Sequence, residues 1–472
     1  MNPKWLLLVG LVALPSVAQA ESSFDHDLAR EVAVPGGLTA RQVTSRASSA
    51  SHTVSARRAE VEAAAAGVDR ALSAYMPRVT LSGRYARLSD PGTSEASNIV
   101  VAPGSPAGPL PPGAPLVNAP LSFPVLRNQW SFQAGLGVPL SDYVTRFGDL
   151  HAGARLGREA SEHGLAASER AARAEAAIAY FTWVRARLSV LVAGRALDQA
   201  QAHLADAKVA EEVGSASHAD VLRVKSQVAR AELLVASTKS LSRVAEEQLR
   251  VLLGDPPDTR YRIGDDPRAL PTPIANASTA TLFGRALARR PELAGLRAAA
   301  TAKRSAARAE RAAYLPRIDG FANYYYQNPS SRAFPQRDRF QSSWDAGLVA
   351  TWVVSDIPGA RAAAQGEEAG ARALDAERAA LENRVRLEVT RARQEALEAD
   401  AALATTAEGL AAAEEAHRAR RAAFQSGKAT STELLDADTD LTRARFESVG
   451  ARIDARIARV RLAFALGDDL DR

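Results

Sequence analysis

Ala74-Tyr75-Met76-Pro77-Arg78-Val79 returns 239 positions later as Ala313-Tyr314-Leu315-Pro316-Arg317-Ile318. Trp130, Ser141 and Asp142 return as Trp344, Ser355 and Asp356, 214 positions on. Gly214 returns as Gly427, and Gly254-Asp255 as Gly467-Asp468, 213 positions on. The order never changes, so the chain is an internal duplication that covers nearly everything after its N-terminal segment. The fall in offset from 239 to 214 assigns 25 extra residues to the first copy, between Pro77 and Trp130.

Both copies are dominated by Ala, Arg, Glu and Leu, with no proline between Pro139 and Pro256 and none after Pro358. Such stretches favour long helices. Each breaks once, at Val213-Gly214-Ser215 and at Ser426-Gly427-Lys428, where glycine permits the left-handed backbone that ends a helix. The pattern predicts helices over 38-76, 143-212 and 217-253 in the first copy, and over 281-315, 359-425 and 431-465 in the second. The longest would run roughly 100 Å at 1.5 Å per residue, too long for one globular core. They must lie against other helices in a coiled coil, and their alanine-rich seams suit close approach.

Four short segments change period from helix to strand. Trp130, Phe132, Ala134, Leu136, Val138 and Leu140 alternate with Ser131, Gln133, Gly135, Gly137 and Pro139. The same alternation marks 77-90, 316-328 and 341-354, beside 127-140 itself. About ten residues of apolar-out, polar-in alternation with aromatic ends is the signature of an outer-membrane strand. Tyr85, Trp130, Tyr324, Trp344 and Trp352 are the candidate aromatic belt. The extra residues form a Pro-, Gly- and Ser-rich stretch, 91-126, expected as an irregular loop, and a second irregular stretch, 254-280, links the repeats 21-253 and 281-472.

The N-terminus reads as a secretory signal over 1-20: Lys4, a short apolar run from Trp5 to Val17, and Ala18-Gln19-Ala20. That run is shorter than the roughly 20 residues a membrane helix needs. The chain has no cysteine, which excludes disulfides and a lipidated N-terminal cysteine alike. Its net charge of +5, with acids and bases interleaved, is no nucleic-acid footprint.

Four membrane strands cannot close a barrel, and an open edge in lipid leaves backbone groups unsatisfied. Copies of the chain must therefore share one barrel, and two, three or four of them would supply 8, 12 or 16 strands. The sequence pattern alone does not choose.

The chain resembles the outer-membrane efflux protein family, the TolC-like outer-membrane factors, from about Leu38 to Asp469. The resemblance is carried by Ala288-Arg289-Arg290-Pro291-Glu292-Leu293, by the two Tyr-x-Pro-Arg junctions and by Ser-Asp after each second strand. Phe424-Gln425-Ser426-Gly427 followed by Glu433-Leu434-Leu435-Asp436-Ala437, and the Leu-Gly-Asp endings, complete it. It implies a mainly α protein with membrane β: a homotrimer with a 12-stranded outer-membrane barrel continued by a 12-helix coiled-coil periplasmic tunnel. It also implies a passive exit duct for tripartite efflux or type I secretion. Its partners would be outer-membrane lipid, a periplasmic adaptor and an energised inner-membrane transporter of the RND, ABC or MFS class.

The resemblance makes Gly214, Ser215, Gly427 and Lys428 the adaptor-contact tips, and Glu433, Asp436 and Phe424 the periplasmic gate. Glu433 and Asp436 lie three apart on one helical face, and repeated among subunits they would form acidic rings that favour cations. Phe424 and Ala429 stand where the best-known gate pattern can have tyrosine and arginine, so closure is expected through other groups, with Lys428 and Arg421 as candidates. In the first repeat Asp220 matches Glu433, but Arg223 replaces Asp436. No enzyme, cofactor or metal motif is present, and the seven histidines show no paired ligand spacing. The competing reading is a periplasmic coiled-coil adaptor that conducts nothing; two hairpins and four alternating strands per chain favour the duct.

Overall fold

The computed structural model describes residues 28–89, 98–103, 108–109, 112–120, 126–269, 277–334 and 336–469. The expected signal, 1-20, lies outside the described residues, as do parts of the loop 91-126 and residues 270–276 of the linker. In chain order the elements are α1 (Ala40–Ala50), α2 (His52–Ser73), β1 (Arg78–Arg87), β2 (Asn98–Val101), β3 (Val117–Pro120) and β4 (Asn128–Val138). Next come α3 (Asp142–Thr145), α4 (Phe147–Glu212), α5 (His218–Leu253), α6 (Thr279–Arg289) and α7 (Pro291–Arg311). The chain ends with β5 (Arg317–Asn328), β6 (Gln341–Thr351), α8 (Ile357–Gln425) and α9 (Ser431–Leu466).

The single helices expected over 38-76 and 281-315 are each two. Pro291 has no N–H and disfavours helical geometry in the residue before it, so Arg290 is extended (ψ 116°) and α6 stops at Arg289. The first copy breaks at the matching place. Ser51 is extended at ψ 119°, and its hydroxyl accepts the Val54 N–H at 3.4 Å to start α2. The loop 91-126, expected to be irregular, contains an antiparallel pair, β2 with β3, where Val100 and Val101 supply strand propensity.

Two compact units divide the chain. One gathers the described residues of Met1–Ala59, His163–Leu293 and Ala379–Arg472; the other comprises those of Glu60–Glu162 and Ala294–Arg378.

The first unit is helical, and its main core is built on one face of α4. Tyr180, Trp183, Val184, Leu188 and Val192 pack with Leu249 and Leu253 of α5 and with Val449 and Ile453 of α9. This core explains why α4 is long and apolar enough, by composition, to cross a membrane: that apolar stretch is mostly buried in protein.

The duplication is visible in the bonds of this unit. Arg46 of α1 pairs with Asp255 after α5, and Arg285 of α6, at the repeat-equivalent position, pairs with Asp468 after α9. The linker is tied back to the N-terminal segment through a parallel bridge between Leu38 and Ile263. The Asp265 carboxylate accepts the Ala40 N–H at 2.7 Å and so caps α1. Here Gly37 and Gly264 touch: a Cβ on Gly264 would sit 2.5 Å from the Gly37 carbonyl oxygen. Backbone atoms on both sides cannot yield, so Gly264→Ala is expected to lower stability by about 1–3 kcal/mol. Gly284→Ala, in a helix with open space around it, should leave stability unchanged or slightly raised. Helical circular dichroism during thermal unfolding in detergent measures both.

The second unit holds an antiparallel sheet of order β1-β4-β5-β6. Its register sets Leu81 beside Ala134, Tyr324 and Trp344, and Thr80 beside Gly135, Asn323 and Asp345. Because side chains alternate, one face collects the large apolar groups and the other the polar ones. On the apolar face Val79, Leu81, Trp344 and Leu348 are all exposed. On the polar face Gln133 Nε2 donates to Asn323 Oδ1 at 3.3 Å, and Asn323 Nδ2 donates to Asp345 Oδ1 at 2.9 Å. Phe321 fits beside Gly347 on this polar side, its ring 3.0 Å from where a Cβ would be. Each junction from helix to strand is also bonded: Tyr143 Oη donates to the Tyr75 carbonyl at 2.7 Å, and the Ile318 N–H to Ser141 Oγ at 3.0 Å.

Candidate functional site

The two helix turns are built alike. At the first, Gly214 takes φ +76°, the Ser215 N–H bonds back to the Ala210 carbonyl at 2.8 Å and the Gly214 N–H to Glu211 at 2.9 Å. At the second, Gly427 takes φ +72°, with Lys428 bonded to Ala423 at 2.8 Å and Gly427 to Phe424 at 3.0 Å. Glycine adopts this backbone without a Cβ clash, and the paired bonds satisfy the last helical carbonyls.

Each following helix opens with a capping box. Ser217 Oγ accepts the Asp220 N–H at 3.2 Å while Asp220 Oδ2 accepts the Ser217 N–H at 3.2 Å. Thr430 Oγ1 accepts the Glu433 N–H at 3.2 Å and Glu433 Oε2 accepts the Thr430 N–H at 2.9 Å. The acids that correspond in the two repeats therefore share a structural task. Glu433 has a further partner in Arg420, at 3.2 Å. The Thr430 N–H, ahead of the Arg420 charge, holds the Glu433 carboxyl below its ordinary range. Asp220 is held low in the same way by the Ser217 hydroxyl and N–H.

Gly214, Ser215, Gly427, Lys428 and Asp436 are exposed in the chain, and Glu433 is half-buried. Phe424 is half-buried with its ring edge-to-face against His203, 5.3 Å between centroids. Arg223, which stands in the first repeat where Asp436 stands in the second, donates to Thr432 Oγ1 at 2.7 Å and so joins the two turns.

What lies beneath them is invisible to residue spacing. His203 of α4 and His417 of α8 meet on one carboxylate, Asp438 of α9, although the sequence shows those histidines 214 residues apart. His417 Nε2 is 2.8 Å from Asp438 Oδ1, and His203 Nδ1 is 3.6 Å from Oδ2. The other His203 nitrogen faces Ser431 Oγ at 3.3 Å. No local spacing could reveal a cluster drawn from three helices. Among the described residues no group of three or more His, Cys, Asp or Glu has the geometry to hold a metal ion.

The belt residues divide by level. Tyr85 and Trp130 meet toward the loop end of the sheet with their rings tilted at 40° and 4.4 Å between centroids, Tyr324 and Trp344 pair nearer its middle, and Trp352 follows β6 at the other end. Phe340, which the sequence did not single out, stacks on Tyr326 at 4.9 Å and extends the aromatic patch.

Solved structures share this fold. The outer-membrane channel OprN matches at 18% identity over 92% of this chain and 91% of its own, with a TM-score of 0.72. CusC, a transmembrane channel, matches at 17% identity over 91% of this chain and 92% of its own, TM-score 0.71. The Campylobacter jejuni CmeC outer membrane channel matches at 14% identity over 91% and 85%, TM-score 0.67. No curated protein matches the sequence at a significant level. The model of the family described as "Outer membrane efflux protein" matches both repeats, residues 43–255 and 282–468. The chain therefore belongs to the outer membrane efflux protein family, whose members are passive outer-membrane channels of tripartite efflux systems and not enzymes.

Proposed function

We propose that three copies of the chain form a passive exit duct, a 12-stranded outer-membrane barrel continued by a 12-helix periplasmic tunnel. The carrying observation is the sheet β1-β4-β5-β6, whose outer strands β1 and β6 have no further partner among the described residues and whose apolar face is exposed. In lipid every such edge must be paired, and cyclic copies of the same sheet pair them all. Family members act as homotrimers with periplasmic adaptors and inner-membrane pumps, which supports three copies over two or four. The polar sheet face then lines the lumen, and Tyr85, Trp130, Tyr324, Trp344 and Trp352 meet the lipid and its interfaces. Residues 1-20 serve as the export signal. Heat-resistant oligomers in outer-membrane fractions, with ion conductance in planar bilayers, are the expected result. A soluble, non-conducting protein would rule the duct out.

In this reading the turns at Gly214-Ser215 and Gly427-Lys428 meet a periplasmic adaptor, which connects the duct to an energised inner-membrane transporter. Their exposure in the chain supports this. Glu433 and Asp436 form acidic rings at the tunnel mouth beside Phe424, and these rings bind cations. Replacing both by Glu433→Ala and Asp436→Asn should raise the concentration of divalent cation needed for half-block about tenfold. Glu433 also caps its helix, so Asp436→Asn alone, which keeps the cap, should retain part of the shift. Asp220→Ala removes the matching cap of the first turn and should leave block unchanged. Single-channel recording separates the three.

A further inference from the structure

We propose that His203, His417 and Asp438 form a proton-operated latch that fastens the second turn to α4. The proposal deepens the duct reading and rests on it for its consequence, control of the tunnel mouth.

Three helices meet at one carboxylate. Asp438 is 8% exposed and His203 is 4% exposed, and the His417 side chain is nearly as enclosed. Ser431 and Phe424, from the two sides of the same turn, complete the surroundings of His203. The cluster therefore grips α8 and α9 together and holds both against α4. The first repeat has no counterpart, because Lys225 stands at the position matching Asp438. The latch belongs to the second turn alone, the one that bears Glu433 and Asp436.

Other charges face the cluster. A cavity of about 250 Å³ beside it is lined by Arg195, Asp198 and Asp206 of α4, Arg421 of α8 and Arg445 of α9. Arg195 pairs with Asp198 at 3.8 Å, and Arg445 donates to Gln199 Oε1 at 3.4 Å. On its other side Asp438 reaches a groove with Arg230 of α5 and Arg443 and Glu447 of α9. As side-chain types, guanidinium and carboxylate ordinarily keep their charge between pH 5 and 8, and imidazole is the type that changes it.

The sign follows from the two partners. Burial works against the Asp438 charge, but the bonds and charges of His203 and His417 outweigh it and hold the carboxyl below the ordinary carboxylate range. Asp438 thus stays ionised as pH falls toward 5. Protonating an imidazole turns its contact with that carboxylate into a charge-assisted bond, roughly twice as strong as a neutral one. A histidine gaining an anionic partner contributes most at low pH and loses that contribution as pH rises. Acid closes the latch and alkali loosens it. Separating the second turn from α4 breaks the His203–Asp438 contact, whereas the His417–Asp438 contact stays within the turn and holds its two arms together.

The chain has no cysteine, so two introduced ones can be labelled without ambiguity. Nitroxides at Ala205→Cys and Thr439→Cys, on exposed positions of α4 and α9, report the separation in the full-length protein by pulsed electron resonance. Planar bilayers report opening of the same preparation. A narrow distance distribution at pH 5 that broadens at pH 8, with open probability higher at pH 8 on the order of tenfold, is the expected result. In Asp438→Asn, and in His203→Gln with His417→Gln, both readouts should be the same at the two pH values. His203→Gln alone removes the His–Asp contact that crosses to α4 and should lose the pH response, whereas His417→Gln, whose contact lies within the turn, should keep it. A wild-type distance distribution that ignores pH, or a full pH response kept by His203→Gln, would overturn the latch. Acid narrowing without conductance at any pH would leave the latch standing and remove the duct; conductance with a pH-independent distance does the reverse.

Discussion

Trp183→Ala is expected to destabilise the helical unit by about 3–5 kcal/mol, the largest loss of any single core truncation here. Trp183 is 1% exposed, heads the large fully buried side chains and belongs to the main core. Its ring is 5.9 Å from that of Tyr180 and edge-to-face with Tyr261 at 6.1 Å. Truncation would remove the transfer energy of an indole and leave a cavity among helices that cannot all collapse inward together. The same ring also supports the linker, because Tyr261 and Ile263 belong to this core and lie where the chain passes from the first repeat to the second. Trp183→Phe keeps an aromatic at the site and should recover more than half of the loss. Unfolding followed by helical circular dichroism in detergent checks both variants. A midpoint for Trp183→Ala equal to that of the parent would show that this core does not limit stability.

Leu81→Arg should act by a different physics and nearly as strongly. Leu81 is 81% exposed on the apolar face of the sheet, level with Ala134, Tyr324 and Trp344. Under the barrel reading this level lies in lipid, where an arginine near the bilayer middle costs about 2–4 kcal/mol per chain. Three copies multiply the effect, so heat-resistant oligomer in the outer-membrane fraction should fall sharply. Ser82→Arg, one residue on, points to the polar face beside Gln133 and should assemble normally while altering ion selectivity. Equal assembly of the two variants would mean that the sheet's two faces do not see different solvents.

Much of the architecture was legible in the sequence because the duplication labels equivalent positions. Gly214 and Gly427 stand where a left-handed residue is required, and the alternation from Trp130 lies on strand β4. The breaks at Ser51 and Arg290 were missed. At Arg290 the signal is Pro291, masked by helix-forming residues on both sides; at Ser51 only a serine cap marks the end, and serine is common in this region. The pair β2 and β3 hid within a stretch whose proline and glycine content outweighed a few valines. At the turns, the family resemblance singled out Glu433 and Asp436, and their spacing added only that they share a helical face. It could not show that Glu433 is engaged by Thr430 and Arg420. Nor could it bring His203 to Asp438, since packing between helices distant in sequence sets that meeting.

The unpaired edges of β1 and β6 have a consequence for how quickly the protein can mature. Among the described residues, a folded chain still holds two strands that each lack a neighbour on one side. Under the shared-barrel reading its last folding step is an encounter with other copies, and its rate depends on their concentration. Scarce chains would wait with open strands, the surfaces most prone to pair with the wrong partner. Supply to the membrane, as much as the sequence itself, would then set the yield of finished protein.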